Sequence, residues 1–164
     1  MISNLENILK KKLSCKSVWF MRQAGRYLPE FREIRKKHPD FMKLCLNSDL
    51  ATEITLQPIN RFNLDAAIIF SDILVIPYAF KQKVIFKNND GPKIDEFQLD
   101  KFLKIDKSDF LNVLKPVYDA IKKTRKSLDK NKSLIAFIGA PWTLIIYLLN
   151  LKTKDNILMS DLKK

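Results

Sequence analysis

Only three glycines occur in 164 residues, and none stands in a glycine-rich phosphate loop. The GxGxxG and Walker patterns are therefore excluded, and nucleotide cradles of those kinds with them. No serine sits in a GxSxG elbow, so an α/β-hydrolase site is unsupported. Histidine is represented by His38 alone, and cysteine by Cys15 and Cys45, which lie thirty positions apart and form no CxxC pair. A structural zinc site takes about four ligands, so no metal is expected. Reduced, cytosolic thiols are the expectation instead. His38, before Pro39 in a lysine-rich turn, reads as an exposed loop residue. The N-terminal stretch lacks an apolar run of signal-peptide length, and Glu6 with no arginine before Arg22 argues against a mitochondrial transit peptide.

What is present is a basic chain of ordinary globular composition. Hydrophobic residues make up 46% and charged residues 29%, which indicates neither disorder nor a disulfide miniprotein. The formal charge of +12, from 30 Lys+Arg against 18 Asp+Glu, attracts polyanions such as nucleic acid, anionic lipid or a small polycarboxylate. Much of the excess is lysine on helix faces, as at Lys115, Lys122, Lys123, Lys126, Lys130 and Lys132, where a solvated surface explains it. Charge alone does not choose the partner.

Leu5, Ile8, Leu9 and Leu13 recur at helical spacing and predict a short amphipathic N-terminal helix. Ser17–Phe20, Ala66–Phe70 and Leu134–Ile138 read as buried strands. Helices are expected from about Tyr27 to Lys37 and from about Asp49 to Phe62. The second has Ser48 as N-cap and Leu50, Ile54, Ile59 and Phe62 inward, with Pro58 a point where it kinks or ends. Ile73–Phe80 leads into a hairpin-like excursion through Val84–Phe86 and the turn at 88–92. Phe110, Val113, Leu114, Val117, Ile121 and Leu128 mark a long amphipathic helix over Asp109–Leu128, interrupted by Pro116. Such alternation favours a parallel α/β architecture. Ser133–Leu151 is nineteen residues without a charge, long enough for a membrane span. Gly139-Ala140-Pro141 breaks it in the middle, however, into a buried strand and a helix with proline in its first turn.

Polar residues cluster after the strands. Arg22, Gln23 and Arg26 follow the first, Ser71-Asp72 the second, and Gly139–Thr143 with Tyr147 the third. In a parallel barrel all such ends open on one face. Arg22 and Arg26, four apart across Gly25, suit bidentate contacts to anions. Asp72 interrupts an apolar run, where an ionised carboxylate is costly unless paired or hydrogen-bonded. Tyr147 on an apolar helix and Phe31 after Arg26 read more readily as core than as site residues. Residue types lead to a cofactor-free anion site in an α/β domain.

Three blocks resemble a known family: VWFMRQAGRYLPEFRE at 18–33, LDAAIIFSDILVIP at 64–77 and FIGAPWTL at 137–144, with TLQP at 55–58 and Arg61-Phe62 as a weaker fourth. They are similar, in order and spacing, to the hallmark blocks of the uroporphyrinogen decarboxylases. The resemblance implies a (β/α)8 barrel, cytoplasmic and usually homodimeric, needing no metal or organic cofactor. The implied enzyme is a carboxy-lyase that removes four carboxyl groups from uroporphyrinogen to give coproporphyrinogen in haem biosynthesis. On that resemblance Asp72 would accept hydrogen bonds from the pyrrole N–H groups and stabilise the ring as it becomes cationic. Arg22 and Arg26 would bind the acetate and propionate carboxylates, with Arg22 a candidate proton donor. Gln23 and Tyr147 would orient the substrate, and Phe31 would help wall the cleft.

Residues 1–164 correspond to the N-terminal half of such a barrel, whose usual size is about 250 residues. The C-terminal half, with the serine and histidine the family supplies from later strands, has no counterpart in them. The expectation is a partial (β/α)8 barrel, inefficient alone, with neither nucleic acid nor membrane as partner. The alternatives are a non-catalytic basic fragment that binds tetrapyrrole or nucleic acid, and a fragment anchored by Ser133–Leu151.

Overall fold

In chain order the described residues form α1 (Asn4–Leu9), α2 (Pro29–Lys37), α3 (Phe41–Cys45), α4 (Ser48–Arg61), β1 (Ala66–Ile68), α5 (Val75–Ala79), β2 (Val84–Lys87), β3 (Gly91–Ile94), α6 (Leu99–Leu103), α7 (Lys107–Ser127), β4 (Ser133–Ile135) and α8 (Pro141–Leu148). The computed structural model describes residues 4–10, 16–87, 91–95 and 97–149. They fall into two units, Met1–Asp72 with Leu114–Phe137, and Ile73–Val113 with Ile138–Lys164. Leu13, Cys15 and the last two residues of Ser133–Leu151 lie outside the described residues.

The first unit is built on a parallel pair, β1 with β4, in which Ala66 lies opposite Ser133 and Ile68 opposite Ile135. Parallel neighbours require a crossover connection, and α7 lies within it. The alanines Ala66 and Ala67 are fully buried. Beside them Ala51 of α4, Ile69 and Ala120 of α7 form a cluster of mostly small side chains. Small residues let the two helices come close, and the Thr52 hydroxyl donates to both Ser48 O (2.7 Å) and Ala120 O (3.3 Å). A larger core joins Leu28, Phe31 and Ile34 to Leu44 and Ile54, with Ala24, Leu50 and Phe70 packed on it. Proline in the first turn of α2, Glu30 beside it and Arg35, Lys36 and Lys37 in the last turn all suit the helix dipole.

Helix α4 differs in detail from its sequence pattern. Its buried face is Ala51, Ile54, Thr55 and Pro58, at the spacing i, i+3, i+4, i+7, whereas Phe62 ends the helix exposed. The cap is Asn47 and not Ser48: its side-chain oxygen accepts from the amides of Asp49 and Leu50, both at 3.1 Å. Ser48 is already helical, and its hydroxyl accepts from Lys123 Nζ. Asn47→Ala is expected to lower stability by about 1 kcal/mol, and Ser48→Ala by no more than a few tenths. Urea midpoints of the two variants check this; equal shifts would remove the cap from Asn47. Neither internal proline ends its helix. Helix α4 runs three residues past Pro58, and α7 stays continuous over 21 residues through Pro116.

The strand expected at Ser17–Phe20 is not formed, and its apolar residues are not buried. Val18, Trp19 and Phe20 are exposed, and Met21 is 77% so. One backbone bond, Asp65 N–H to Val18 O at 2.9 Å, joins this segment to the start of β1, and the Asp65 carboxylate takes the Val18 amide at 2.7 Å. A single bond plus a side-chain acceptor makes no ladder. The observed first unit is thus a two-stranded parallel α/β arrangement, coarser than the expected half barrel.

In the second unit β2 and β3 form the expected hairpin, antiparallel, with Val84 opposite Ile94 and Lys87 opposite Gly91. Gly91 has φ +72°, the left-handed region that costs glycine nothing. Phe80 stacks on Phe102 at 4.3 Å and lies 4.6 Å from Phe110, so an aromatic cluster supplies this unit's packing. Residues 73–80, to which the sequence pattern assigns no element, contain helix α5. Helix α8 begins at Pro141, as the Gly-Ala-Pro break suggests. No helix among the described residues is long and apolar enough to cross a membrane, so the spanning reading of Ser133–Leu151 is not supported where it is described.

Candidate functional site

The loop between residues 21 and 28 is tied down by a series of hydrogen bonds. Gln23 is 2% exposed, and its amide nitrogen donates to Ala66 O at 2.7 Å. Its amide oxygen accepts from the Ile68 N–H at 3.2 Å. The Tyr27 hydroxyl donates to the main-chain carbonyl of Gln23, and the Leu28 amide donates to Gly25 O at 3.0 Å. Arg32 reaches back from α2 to Arg26 O at 2.9 Å. Burial raises the Tyr27 hydroxyl above its usual pKa, with Arg61 opposing; the phenol therefore stays a donor at neutral pH. Between these anchors Arg22 and Arg26 project as exposed side chains.

This loop forms one side of a cavity of about 390 Å³. Arg22, Gln23 and Arg26 line it from the loop, Phe31 and Arg35 from α2, and Phe70 and Ser71 from the segment after β1. Phe31 and Phe41 each meet the Phe70 ring edge-on, at 5.8 and 5.7 Å between centroids, and make an aromatic wall. The Arg35 guanidinium lies 5.4 Å over the Phe41 ring and donates to His38 O (2.9 Å) and Pro39 O (3.0 Å). Thr55, fully buried on α4, accepts the Phe70 amide at 2.8 Å and so fixes the strand end that carries Ser71. Three guanidinium groups around one aromatic-walled cavity attract a flat anion or several carboxylates.

Asp72 is the next residue and is partly buried. Burial first, and then the charge of Asp72, push the Cys45 thiol far above the usual thiol range, while Arg35 opposes. Cys45 is thus a packed, unreactive thiol. Asp72 and Arg35 thus act in opposite senses on the same buried thiol. His38 is exposed at the end of α2.

Arg22, Gln23, Arg26 and Phe31 are therefore brought together, with Asp72 one residue beyond Ser71. Tyr147 is carried by α8 of the second unit, where it is partly buried. Sequence reasoning missed Arg35. It stands four residues after Phe31 and so shares that residue's helix face, a periodicity that was available to find it. Phe41 and Phe70 gave no such signal, because only the chain's path across α3 and β1 sets them against each other. A larger, open groove of about 530 Å³ runs between α1 and β4. Two of its three basic residues are engaged elsewhere: Arg125 donates to the carbonyls of Leu128, Asp129 and Lys132, and the Lys132 ammonium to Leu64 O. The smaller cavity has the chemistry. Among the described residues no group of three His, Cys, Asp or Glu side chains is placed to hold a metal ion.

Comparison with known proteins bears on the same blocks. Residues 4–161 match the family described as uroporphyrinogen decarboxylase (URO-D). A relative named uroporphyrinogen decarboxylase from Agrobacterium fabrum is 50% identical over 132 residues, 80% of this chain and 38% of the relative. Relatives of the same name from Rickettsia canadensis and Rickettsia felis are 48% and 47% identical over 155 and 150 residues, which are 94% and 92% of this chain but 46% and 43% of theirs. The chain spans less than half the length of these relatives. With the family match running through the arginine loop, β1, Asp72 and α8, the chain belongs to the uroporphyrinogen decarboxylase family.

Proposed function

We propose that the chain supplies the carboxylate-binding and charge-stabilising part of a site that decarboxylates uroporphyrinogen to coproporphyrinogen. The observation that carries this reading is the grouping of Arg22, Arg26 and Arg35 on one aromatic-walled cavity, lined also by Ser71, which Asp72 follows in the chain. The arginines bind acetate and propionate carboxylates of the macrocycle, and Phe31 lies against its edge. Tyr147 is assigned a further hydrogen bond to the substrate. A cavity of about 390 Å³ takes part of such a ligand, and the remainder of the family's length completes the enclosure, as a closed (β/α)8 barrel. A cytoplasmic homodimer is the assembly this reading carries with it.

The reaction needs an electron sink. Protonation at a pyrrole carbon makes the ring cationic; the electrons of the bond between the acetate methylene and its carboxylate then flow into the ring as CO2 leaves. The exposed methylene takes a proton to become methyl, the ring loses its extra proton, and one proton is consumed for each CO2 released. Asp72 is assigned to the pyrrole N–H groups, where a carboxylate lowers the energy of the cationic ring as charge develops. Arg22 is assigned the proton-donor side of the ring. A guanidinium keeps its proton at neutral pH, so Arg22 acts by holding the ordered water or substrate carboxyl that delivers the proton and is not itself the source.

The test is titration of residues 1–164 with uroporphyrin, a stable oxidised analogue, followed by fluorescence quenching. Arg22→Ala, Arg26→Ala and Arg35→Ala should each weaken binding about 10- to 100-fold, the range for charge-assisted hydrogen bonds. The uroporphyrin octamethyl ester should bind no better than background. Equal binding of ester and acid, or a double-stranded DNA that competes at 0.2 M salt, would transfer the basic surface to another role.

A further inference from the structure

We infer that Gln23 is a positioning residue: its side-chain amide occupies the outer edge of β1 as one residue of a neighbouring strand would, and so holds the arginine loop in register with the segment leading to Asp72. The inference rests on the reading above of that loop as carboxylate-binding.

Backbone groups on a strand point alternately to its two edges. On β1 the odd residues face β4: Ser133 N–H donates to Asp65 O at 2.9 Å, and Ile69 N–H donates to Ile135 O at 3.0 Å. The carbonyl of Ala66 and the amide of Ile68 therefore face the opposite edge. In a parallel ladder one residue of the neighbour satisfies such a pair, donating to the first and accepting from the second. Gln23 does this with its side chain, at 2.7 Å to Ala66 O and 3.2 Å from Ile68 N. The carboxamide has one donor and one acceptor group at a fixed spacing, which suits it to the task. Buried as it is at 2%, leaving these groups unpaired would be costly.

The main chain of the same residue belongs to the loop. Its carbonyl takes the Tyr27 hydroxyl, and Arg22 precedes it directly. Gln23 thus ties the loop to the sheet at a cavity that it lines together with the exposed Arg22 and Arg26. Both ends of its amide are already engaged with β1, whereas the arginines carry the free donors. A ligand-contacting role and a positioning role consequently predict different results.

Amide hydrogen exchange and 15N relaxation by NMR, with uroporphyrin titration, on residues 1–164 separate them. Gln23→Leu, similar in size but without the amide, should speed exchange at Ile68 at least tenfold while Ile69, bonded to β4, keeps its protection. The Arg22, Ala24 and Gly25 amides should gain fast motion, and uroporphyrin affinity should fall about tenfold. Gln23→Glu supplies a second reading should Gln23→Leu fold poorly. A buried Glu has its pKa raised, so below that pKa the protonated acid donates to Ala66 O and restores both Ile68 protection and affinity. Both should be lost as pH rises, a reversal that wild type lacks. Unchanged Ile68 exchange with lost affinity would make Gln23 a ligand contact and overturn the inference. Lost Ile68 protection with loop order and affinity intact would overturn it as well, leaving a purely structural bond. If wild type binds no uroporphyrin, the proposed function fails, while Ile68 exchange and loop motion still decide the role of Gln23.

Discussion

Replacing Asp72 with asparagine is expected to lower the decarboxylation rate by about 10²- to 10³-fold, the usual cost of removing a preorganised group aimed at developing charge. The measurement suits a chimera in which this chain's sequence replaces the matched 132 residues of the Agrobacterium fabrum relative. Asparagine keeps the size and one acceptor oxygen of Asp72 and removes the negative charge. Hydrogen bonds to the pyrrole N–H groups are made in the ground state too, so their weakening appears chiefly in KM. The charge matters only when the ring is cationic, and its loss appears in kcat. A fall of a hundredfold or more in kcat with KM changed a few-fold is the expected split. A kcat within threefold of wild type would show that the cationic ring is stabilised by other groups. Asp72 also raises the Cys45 thiol, so the same substitution should bring that thiol down somewhat; burial, the larger cause, keeps it unreactive.

Elements whose own residues determine their environment were legible in the sequence. Helix α7 is one, since Leu114, Ala120 and Thr124 bury one face of a strongly amphipathic segment and that packing outweighs the defect at Pro116. The hairpin of β2 and β3 is another, where turn residues and Gly91 state the reversal directly. Ser17–Phe20 is the contrary case. Its apolar sequence predicts burial, while Val18, Trp19 and Phe20 are exposed and one backbone bond joins the segment to Asp65, the residue before β1. The cap of α4 fell between two adjacent candidates, Asn47 and Ser48, because either side chain can cap and only backbone geometry chooses. At the site, Arg22, Arg26 and Asp72 were singled out for their places after expected strands, although the strand expected before Arg22 is not formed. The function of Gln23 was not, since a glutamine serving a strand edge and a glutamine serving a substrate look alike in sequence. What separates them is burial and the alternation of Ala66 and Ile68, which needs coordinates.

The largest stability effect is expected at Leu28. Its side chain is 1% exposed and packs with Phe31, Ile34, Leu44 and Ile54. Its backbone sits where the arginine loop becomes α2: the amide donates to Gly25 O, and the carbonyl accepts from Arg32 N–H at 3.1 Å. Leu28→Ala removes three buried carbons and leaves a cavity that surrounding helices fill only in part, at a cost of about 2–5 kcal/mol. A domain of this kind has about 5–15 kcal/mol in all, so the change is a large fraction of it. Urea unfolding should show the lower midpoint with an unchanged slope. Leu99→Ala, at a leucine 54% exposed on α6, is the control and should stay within about 0.5 kcal/mol. The two leucines have the same side chain, so a difference between them measures burial alone. Because Leu28 anchors the C-terminal end of the arginine loop as Gln23 anchors its start, Leu28→Ala should also weaken uroporphyrin binding under conditions where the chain is still folded. A loss below about 1 kcal/mol at Leu28, or binding that is unaffected while the chain stays folded, would separate the core from the loop it is expected to hold.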